Sequence, residues 1–517
     1  MTTTPQQKFA PSEQAQGFLS RDVHQLVIGG QNVPAASGMT MTTVSPSTGE
    51  VLARLAAGDQ SDVDRAVLAA REAFKGQWST WSPYERQALL TRVAQVMDER
   101  FEELVQIEAM DMGAPVSRLR NTKASLMKML SFFASQATSI SGETLMNGIP
   151  GNVTTMTLKA PVGVIGGIIP WNGPLNSQFW IIGAVLASGC TAVLKPASEA
   201  SLSVLRVAEI LLEAGVPAGV INVVTGSGRE AGHALAAHPD VDRIAFTGST
   251  QTGRSIIQAS TVNIKKLQLE LGGKSADIVC ADADLDKAVP GAAMGVFANS
   301  GQICFAGTRV LVQRPIVEEF TERLLAFMRT LRVGHSLDTT ATLGPVISQT
   351  QLDSVLSYID LGRAEGAELL SGGQRLEGDL GNGYFMQPSV FGGVTNEMRI
   401  AREEIFGPVL SIMPFDDVDE AVAIANDSDY GLGGAVWSES LSTALRVVRG
   451  VHTGTMWVNC YGYIDPLVGF SGTKLSGYGY KGTAAHMDTY LYTKSVYIDL
   501  AGRTPAPAPA AGLAEID

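Results

Sequence analysis

Five short apolar runs decide the fold class of this chain: VGVIGGII (162–169), TAVL (191–194), VINVV (220–224), DRIAF (242–246) and IKKLQL (264–269). Segments of helical periodicity separate the first four, and another occupies 250–258 before the fifth. Strand-helix alternation predicts a parallel sheet with crossover helices, so the fold class is α/β. Ligands of such sheets bind where loops leave the carboxyl ends of the strands. A second alternation begins near 272, with strands predicted at 308–313 (TRVLVQ) and 408–413 (PVLSIM) and a helix over 316–331 between them. A domain boundary is expected near Leu271, where Gly272 and Gly273 free the chain to turn. Upstream, Ser61 with Asp64 reads as a capping box ahead of Val63, Val67, Ala70 and Phe74. Ser82, Pro83 and Glu85 start a second helix through Leu89, Val93, Val96 and Met97, which Gly113 closes. Residues 1–21 are polar and expected to be loose, and 501–517, with its Ala/Pro run TPAPAPAAGLAEID, is expected to be a flexible tail.

Composition narrows the function. With 517 residues the chain has room for two or three domains. A net charge of -13 argues against nucleic acid or an anionic membrane surface as the main partner. A few local donors still suffice to bind an anionic cofactor. Cys190, Cys280, Cys304 and Cys460 form neither a disulfide framework nor a metal-ligand spacing, so the expectation is a reducing cytoplasm and no metal site. The N-terminus lacks the basic patch and apolar core of a secretory signal, and no apolar stretch is long enough for a membrane span.

Four segments carry residues suited to chemistry. Cys304, in NSGQICFAGTR, has small neighbours that give a thiolate access and donors, although a buried structural cysteine is the ordinary alternative. Glu270 ends an apolar strand just before two glycines. Burial there would raise its pKa toward that of a general base, whereas an exposed strand-end glutamate would do nothing. Asn172, in IPWNGPL, sits between Trp171 and Gly173 with a proline on each side. Its amide is placed either to donate to an oxyanion or to make a turn. FTGSTQTGR, from Phe246 to Arg254, reads as strand, glycine turn and helix start, with Ser249 and Thr250 as candidate caps and backbone N–H groups suited to phosphate. A second glycine turn, Gly226, Gly228 and Gly232, reads as structural.

Taken in order, PWNGPL, VLKPAS, FTGSTQTG, LELGGKS, GQICFAG, EEIFGPV and WVN resemble the aldehyde dehydrogenase superfamily over roughly residues 25–500. The resemblance implies a Rossmann-like cofactor domain (22–139 and 159–271), a second α/β catalytic domain (272–483) and a small β oligomerisation arm (140–158 and 484–500). It implies that Cys304 attacks an aldehyde carbon while the Asn172 amide and the Cys304 N–H hold the oxyanion. Hydride would pass to NAD or NADP, and Glu270 would activate the water that hydrolyses the resulting thioester. Cofactor contacts are implied for Ile169, Pro170, Trp171, Ser198, Gly228, Phe246, Thr247, Gly248, Leu271 and Gly272. Lys195 would meet the adenosine ribose, Ser249 the pyrophosphate and Glu404 the nicotinamide ribose, with Phe406 packed near the nicotinamide. Substrate contacts are implied for Gly173, Asn176, Trp180, Ile303, Tyr461, Tyr463 and Phe470. A homodimer or homotetramer is implied as well, with YLYTKSVYIDL (490–500) as the added strand.

The chain departs from the family pattern at several positions. Ser198 stands where NAD-preferring relatives often carry glutamate, with Glu199 next to it, so NADP acceptance is expected. Gly173 replaces a frequent phenylalanine and opens the tunnel, which favours an aromatic or bulky apolar aldehyde. No arginine lies in these segments to hold a substrate carboxylate, which disfavours a semialdehyde. Ile181 and Lys481 replace a lysine and a glutamate linked in some relatives to proton removal from the base. The competing readings are a coenzyme A-acylating enzyme, which the presence of Glu270 opposes, and a non-catalytic binding protein on the same fold.

Overall fold

The computed structural model describes residues 9–500. All five runs become strands of one Rossmann-like sheet: Val164–Ile169, Thr191–Pro196, Ile221–Val223, Arg243–Thr247 and Lys266–Glu270. They pair in parallel in the spatial order 221–223, 191–196, 164–169, 243–247, 266–270. Helices Pro174–Ser188, Leu202–Glu213 and Thr250–Ala259 lie among the crossovers. Nearly every side chain of the central strands is buried, which is why they read as unbroken apolar runs. The chain first winds outward from Val164–Ile169 through Thr191–Pro196, then returns to the other side at Arg243–Thr247. That reversal opens a crevice at the carboxyl ends of Val164–Ile169 and Arg243–Thr247. Antiparallel strands extend both edges: Leu26–Ile28 with Gln31–Val33 on one side, Gly477–Tyr478 on the other.

A second sheet of seven strands runs in the order Glu368–Ser371, Ser389–Gly392, Val409–Phe415, Arg309–Gln313, Ala276–Val279, Gly433–Trp437, Thr455–Val458. All its pairs are parallel except the first. The predicted helix between two of these strands is Val317–Met328. Leu491–Asp499, Val153–Pro161 and Thr144–Leu145 make a separate three-stranded antiparallel sheet.

Local expectations need three corrections. The first capping box lies two residues early: Asp59 caps Gln60–Lys75 and Asp62 reciprocates, because Asp62 is buried and its other oxygen accepts from the Ala36 N–H. The second start is as read, with Ser82, Pro83 and Glu85 in place. That helix, however, ends at Glu99, and a new one, Phe101–Met112, follows after Arg100, whose guanidinium pairs with Glu103 and Glu213. Gly113 closes the second of the two in a left-handed conformation. Finally, the stretch expected to be loose contains the helix Glu13–Leu19, capped by Ser12, because Ala15, Phe18 and Leu19 bury in the main core. The predicted tail at 501–517 lies outside the described residues.

Candidate active site

Backbone conformation positions Cys304. After the helix Leu285–Phe297, Asn299 and Ser300 both take φ near 55°, and Gly301 follows at 74°. A Cβ on Gly301 would lie 2.0 Å from the Gly407 carbonyl, so the turn requires glycine there. Gln302 then locks the loop. Its amide donates to the Asn299 carbonyl and accepts from the Ile347 N–H. Gly273 lets the preceding strand's exit loop come close, since a Cβ there would sit 2.3 Å from the Cys304 carbonyl.

Asn172 is tied to this loop. Its Nδ2 donates to the Gln302 carbonyl at 2.9 Å, and the Asn299 amide donates to the Asn172 carbonyl at 3.1 Å. An amide nitrogen carries two hydrogens, so one remains for a ligand. The Cys304 N–H likewise donates to no group among the described residues. Two donors are thus available beside the half-buried thiol.

Glu270 ends Lys266–Glu270, paired with Thr247 on the neighbouring strand. It is 3% exposed, and neither carboxylate oxygen has a hydrogen-bond partner. Burial raises its pKa to about 7, with the positive charge of Lys481 pulling the other way. The Cys304 thiol is pushed up to about 12 by burial, while Lys481 acts to lower it and the charges of Glu404 and Glu270 to raise it. A carboxylate, a cation and a thiol thus feel one another in one enclosure. Lys481 reaches it from the segment beyond Gly477–Tyr478, with its Nζ 3.2 Å from the Thr247 hydroxyl.

Some of the residues implied to contact a cofactor lie together at the crevice. Ile169, Pro170, Phe246, Thr247, Trp180 and Lys481 line one small cavity at the switch point. Ser249 caps Thr250–Ala259. Gly253 leaves room for Leu271, and Gly272 leaves room for Glu404, whose Oε2 would be 2.2 Å from a Cβ. Glu404 accepts from the Gly273 N–H at 3.0 Å, and burial raises its pKa to about 7. Phe406, at φ 55°, stands edge-on to Trp171 with ring centroids 5.1 Å apart. Lys195 is 3% exposed, and burial lowers its pKa to about 8. No hydrogen bond within the described residues satisfies its ammonium. A buried lysine and a buried glutamate with unspent hydrogen-bonding capacity fit the hydroxyls and phosphates of a dinucleotide. The Ser198 hydroxyl lies 3.0 Å from the Glu199 carboxylate, whose charge also acts on Lys195. Gly228 is exposed, in the short turn of π-helix Gly228–Gly232.

The implied substrate residues separate into groups. Ile303, Tyr461 and Tyr463 line a cavity of about 590 Å³, together with Phe305 and Trp437. The Tyr461 hydroxyl donates to the Phe305 carbonyl at 2.6 Å, fixing one wall. A Cβ on Gly173 would meet nothing within 4 Å, so that position is open as read. Trp180 instead faces the switch-point cavity and packs edge-on to Phe133. Phe470 is buried behind Phe305 at 5.8 Å. Asn176 is half-buried with its Oδ1 unpartnered. The structure also adds Arg118, from the helix Val116–Arg120, to the wall of the 590 Å³ cavity. The absence of an arginine from the motif segments therefore does not mean the cavity lacks one. No motif marks this position, because chain folding alone brings it there.

Comparison with known proteins agrees with this geometry. The model of the aldehyde dehydrogenase family matches residues 33–496. Aldehyde dehydrogenase family 2 member C4 of Arabidopsis thaliana is 43% identical, over 92% of this chain and 95% of its own. The mitochondrial benzaldehyde dehydrogenase of Antirrhinum majus is 42% identical, over 91% of this chain and 88% of its own. The NAD+ complex of an aldehyde dehydrogenase from Bacillus cereus superposes with a TM-score of 0.92 at 40% identity, covering 95% of this chain and 99% of that one. With sheet order, loop geometry and near-full-length similarity in agreement, the chain belongs to the aldehyde dehydrogenase family.

Proposed function

We propose that this enzyme oxidises an aldehyde to its carboxylic acid through a covalent adduct on Cys304, with Glu270 as the base for hydrolysis. The observation that carries the reading is Glu270: a buried carboxylate, both oxygens unpartnered, close enough for its charge to act on the Cys304 thiol. Burial of an unpaired carboxylate is costly, so it is retained for a task. The Cys304 thiol releases its proton to water as its sulfur adds to the carbonyl carbon, and the Asn172 amide and Cys304 N–H take the oxyanion. One preorganised donor of this kind is worth roughly 3–4 kcal/mol of barrier. A bound nicotinamide dinucleotide supplies the hydride acceptor that makes the adduct a thioester. Glu270 then removes a proton from the attacking water, and the acid leaves as the Cys304 thiol is restored.

Lys195, Ser249 and Glu404 would hold the dinucleotide. NAD is supported by the Bacillus cereus relative's NAD+ complex. NADP acceptance rests on Ser198, against which stands the Glu199 carboxylate beside it. The open space at Gly173, the aromatic walls and the benzaldehyde dehydrogenase relative support an aromatic or bulky apolar substrate. The free thiols of all four cysteines suit a reducing cytoplasm.

The test is Glu270→Gln. It should reduce about one cofactor per active site in a rapid burst and then stall, with an acyl adduct on Cys304 visible by mass spectrometry. Steady turnover at the wild-type rate would remove Glu270 from the mechanism. Release of an acyl-coenzyme A product by the wild type would favour the acylating alternative.

A further inference from the structure

The 590 Å³ cavity lined by Ile303 and Phe305, the two neighbours of Cys304, is walled by aromatic side chains but contains a cation that forms no ion pair. Arg118 lines this cavity from the short helix Val116–Arg120. The first two residues of the helix are anchored. The Val116 N–H donates to the Ser336 carbonyl, and the Ser117 hydroxyl donates to the Ala341 carbonyl. Arg118 is therefore held in place by backbone contacts rather than by its own head group.

Its guanidinium makes no hydrogen bond or ion pair with any described residue. The carboxylate whose charge acts on it is Glu108. Glu108 is buried, one of its oxygens accepts from both the Leu175 N–H and the Ser203 hydroxyl, and it forms no ion pair with Arg118 among the described residues. Two other charged residues line the cavity, and both are paired elsewhere: Asp286 with Arg323, and Lys287 with Asp284. Arg118 is the cavity-lining cation, among the described residues, without an ion pair. A planar fork of five donors facing a substrate cavity matches a carboxylate bidentately.

Resting on the proposed oxidation at Cys304, we propose that the substrate is an aldehyde with an apolar body and a carboxylate at its far end, and that Arg118 binds that carboxylate. The aldehyde end lies at Cys304, the aromatic walls Phe305, Tyr461 and Trp437 enclose the body, and Arg118 sets the length and charge of what fits. The product is then a dicarboxylic acid. A reaction that leaves a carboxylate and an aldehyde on one chain, such as ring opening or deamination of an amino acid at its far end, is the class that supplies such a substrate.

The experiment measures kcat/KM for ω-oxo acids of increasing length and for 4-carboxybenzaldehyde, each against its own methyl ester. For at least one pair the acid should be favoured about 10-fold or more. That ratio should fall at least about 10-fold in Arg118→Gln, mainly through KM, and be partly restored in Arg118→Lys. The acid-to-ester ratio is internal to each variant, so damage to folding cancels. An ester that matches its acid at every length, or a ratio unchanged in Arg118→Gln, overturns the proposal. A second arm needs no turnover: calorimetric binding of the matching dicarboxylate to Cys304→Ala should weaken about 10-fold when Arg118→Gln is added. Equal affinity overturns the proposal. If the wild type oxidises no aldehyde at all, the reading of Cys304 falls, and the binding arm still decides the role of Arg118.

Discussion

At the scale of single residues, Lys481 couples the carboxylate of Glu270 to the thiol of Cys304. Its positive charge lowers the pKa of Glu270 and that of Cys304. Glu270, at about 7, ionises as pH rises through neutrality, so hydrolysis of the thioester should gain rate along an acid limb near that pH. Removing the cation disfavours the carboxylate. In Lys481→Gln the limb should therefore move to higher pH, with activity reduced at pH 7 and recovered above it. The check is a kcat–pH profile under conditions where hydrolysis limits turnover, and an unmoved limb would falsify the coupling. Glu199 sets a second residue-scale question. Its carboxylate is near both the Ser198 hydroxyl and Lys195. Glu199→Gln removes a negative charge and frees the hydroxyl, so kcat/KM for NADP relative to NAD should rise. Parallel assays with the two cofactors measure that ratio.

At the scale of elements, the turn after Lys266–Glu270 does most to assemble the site. Gly272 and Gly273 have no side chains, and the space is taken by the Glu404 carboxylate and the Cys304 carbonyl. This one turn brings the Glu404 carboxylate and the Cys304 loop to the end of the strand that carries Glu270. Gly272→Ala places a Cβ where Glu404 now lies, so Glu404 must withdraw and its hydrogen bond from Gly273 is strained. Loss of one charge-assisted hydrogen bond to the cofactor corresponds to about 10-fold or more in affinity. Fluorescence titration of NAD should show that weakening in Gly272→Ala with the fold retained by circular dichroism. Undiminished affinity would mean Glu404 does not hold the ribose.

At the scale of the whole molecule, the three-stranded sheet is the least self-sufficient part. Leu491–Asp499 is an edge strand with one side of its backbone unpaired and with Tyr497 67% exposed. A long exposed edge with apolar side chains is a template for pairing with another chain. The wild type should therefore be a homodimer or homotetramer by light scattering. Placing a charge on the strand with Tyr497→Asp should shift it toward smaller species, while a monomeric wild type would refute the assembly. The same sheet joins residues far apart in sequence, pairing Leu491 with Pro161 and Asp499 with Val153.

The sequence by itself determined the parallel sheet, because strands buried on both faces must be apolar throughout and so stand out from their helices. It also determined the candidates at Cys304, Glu270 and Asn172, because the motifs that carry them are local in the chain. It did not place the helix break at Arg100 or the helix Glu13–Leu19, since short elements depend on what they pack against. Trp180 and Tyr461 both read as aromatic substrate contacts, yet they face different cavities. Only the tertiary structure decided that, because a side chain's direction is set by the packing of its helix or loop. Arg118 is the clearest case: its segment has no motif, and its meaning comes from a cavity built by residues more than a hundred positions away.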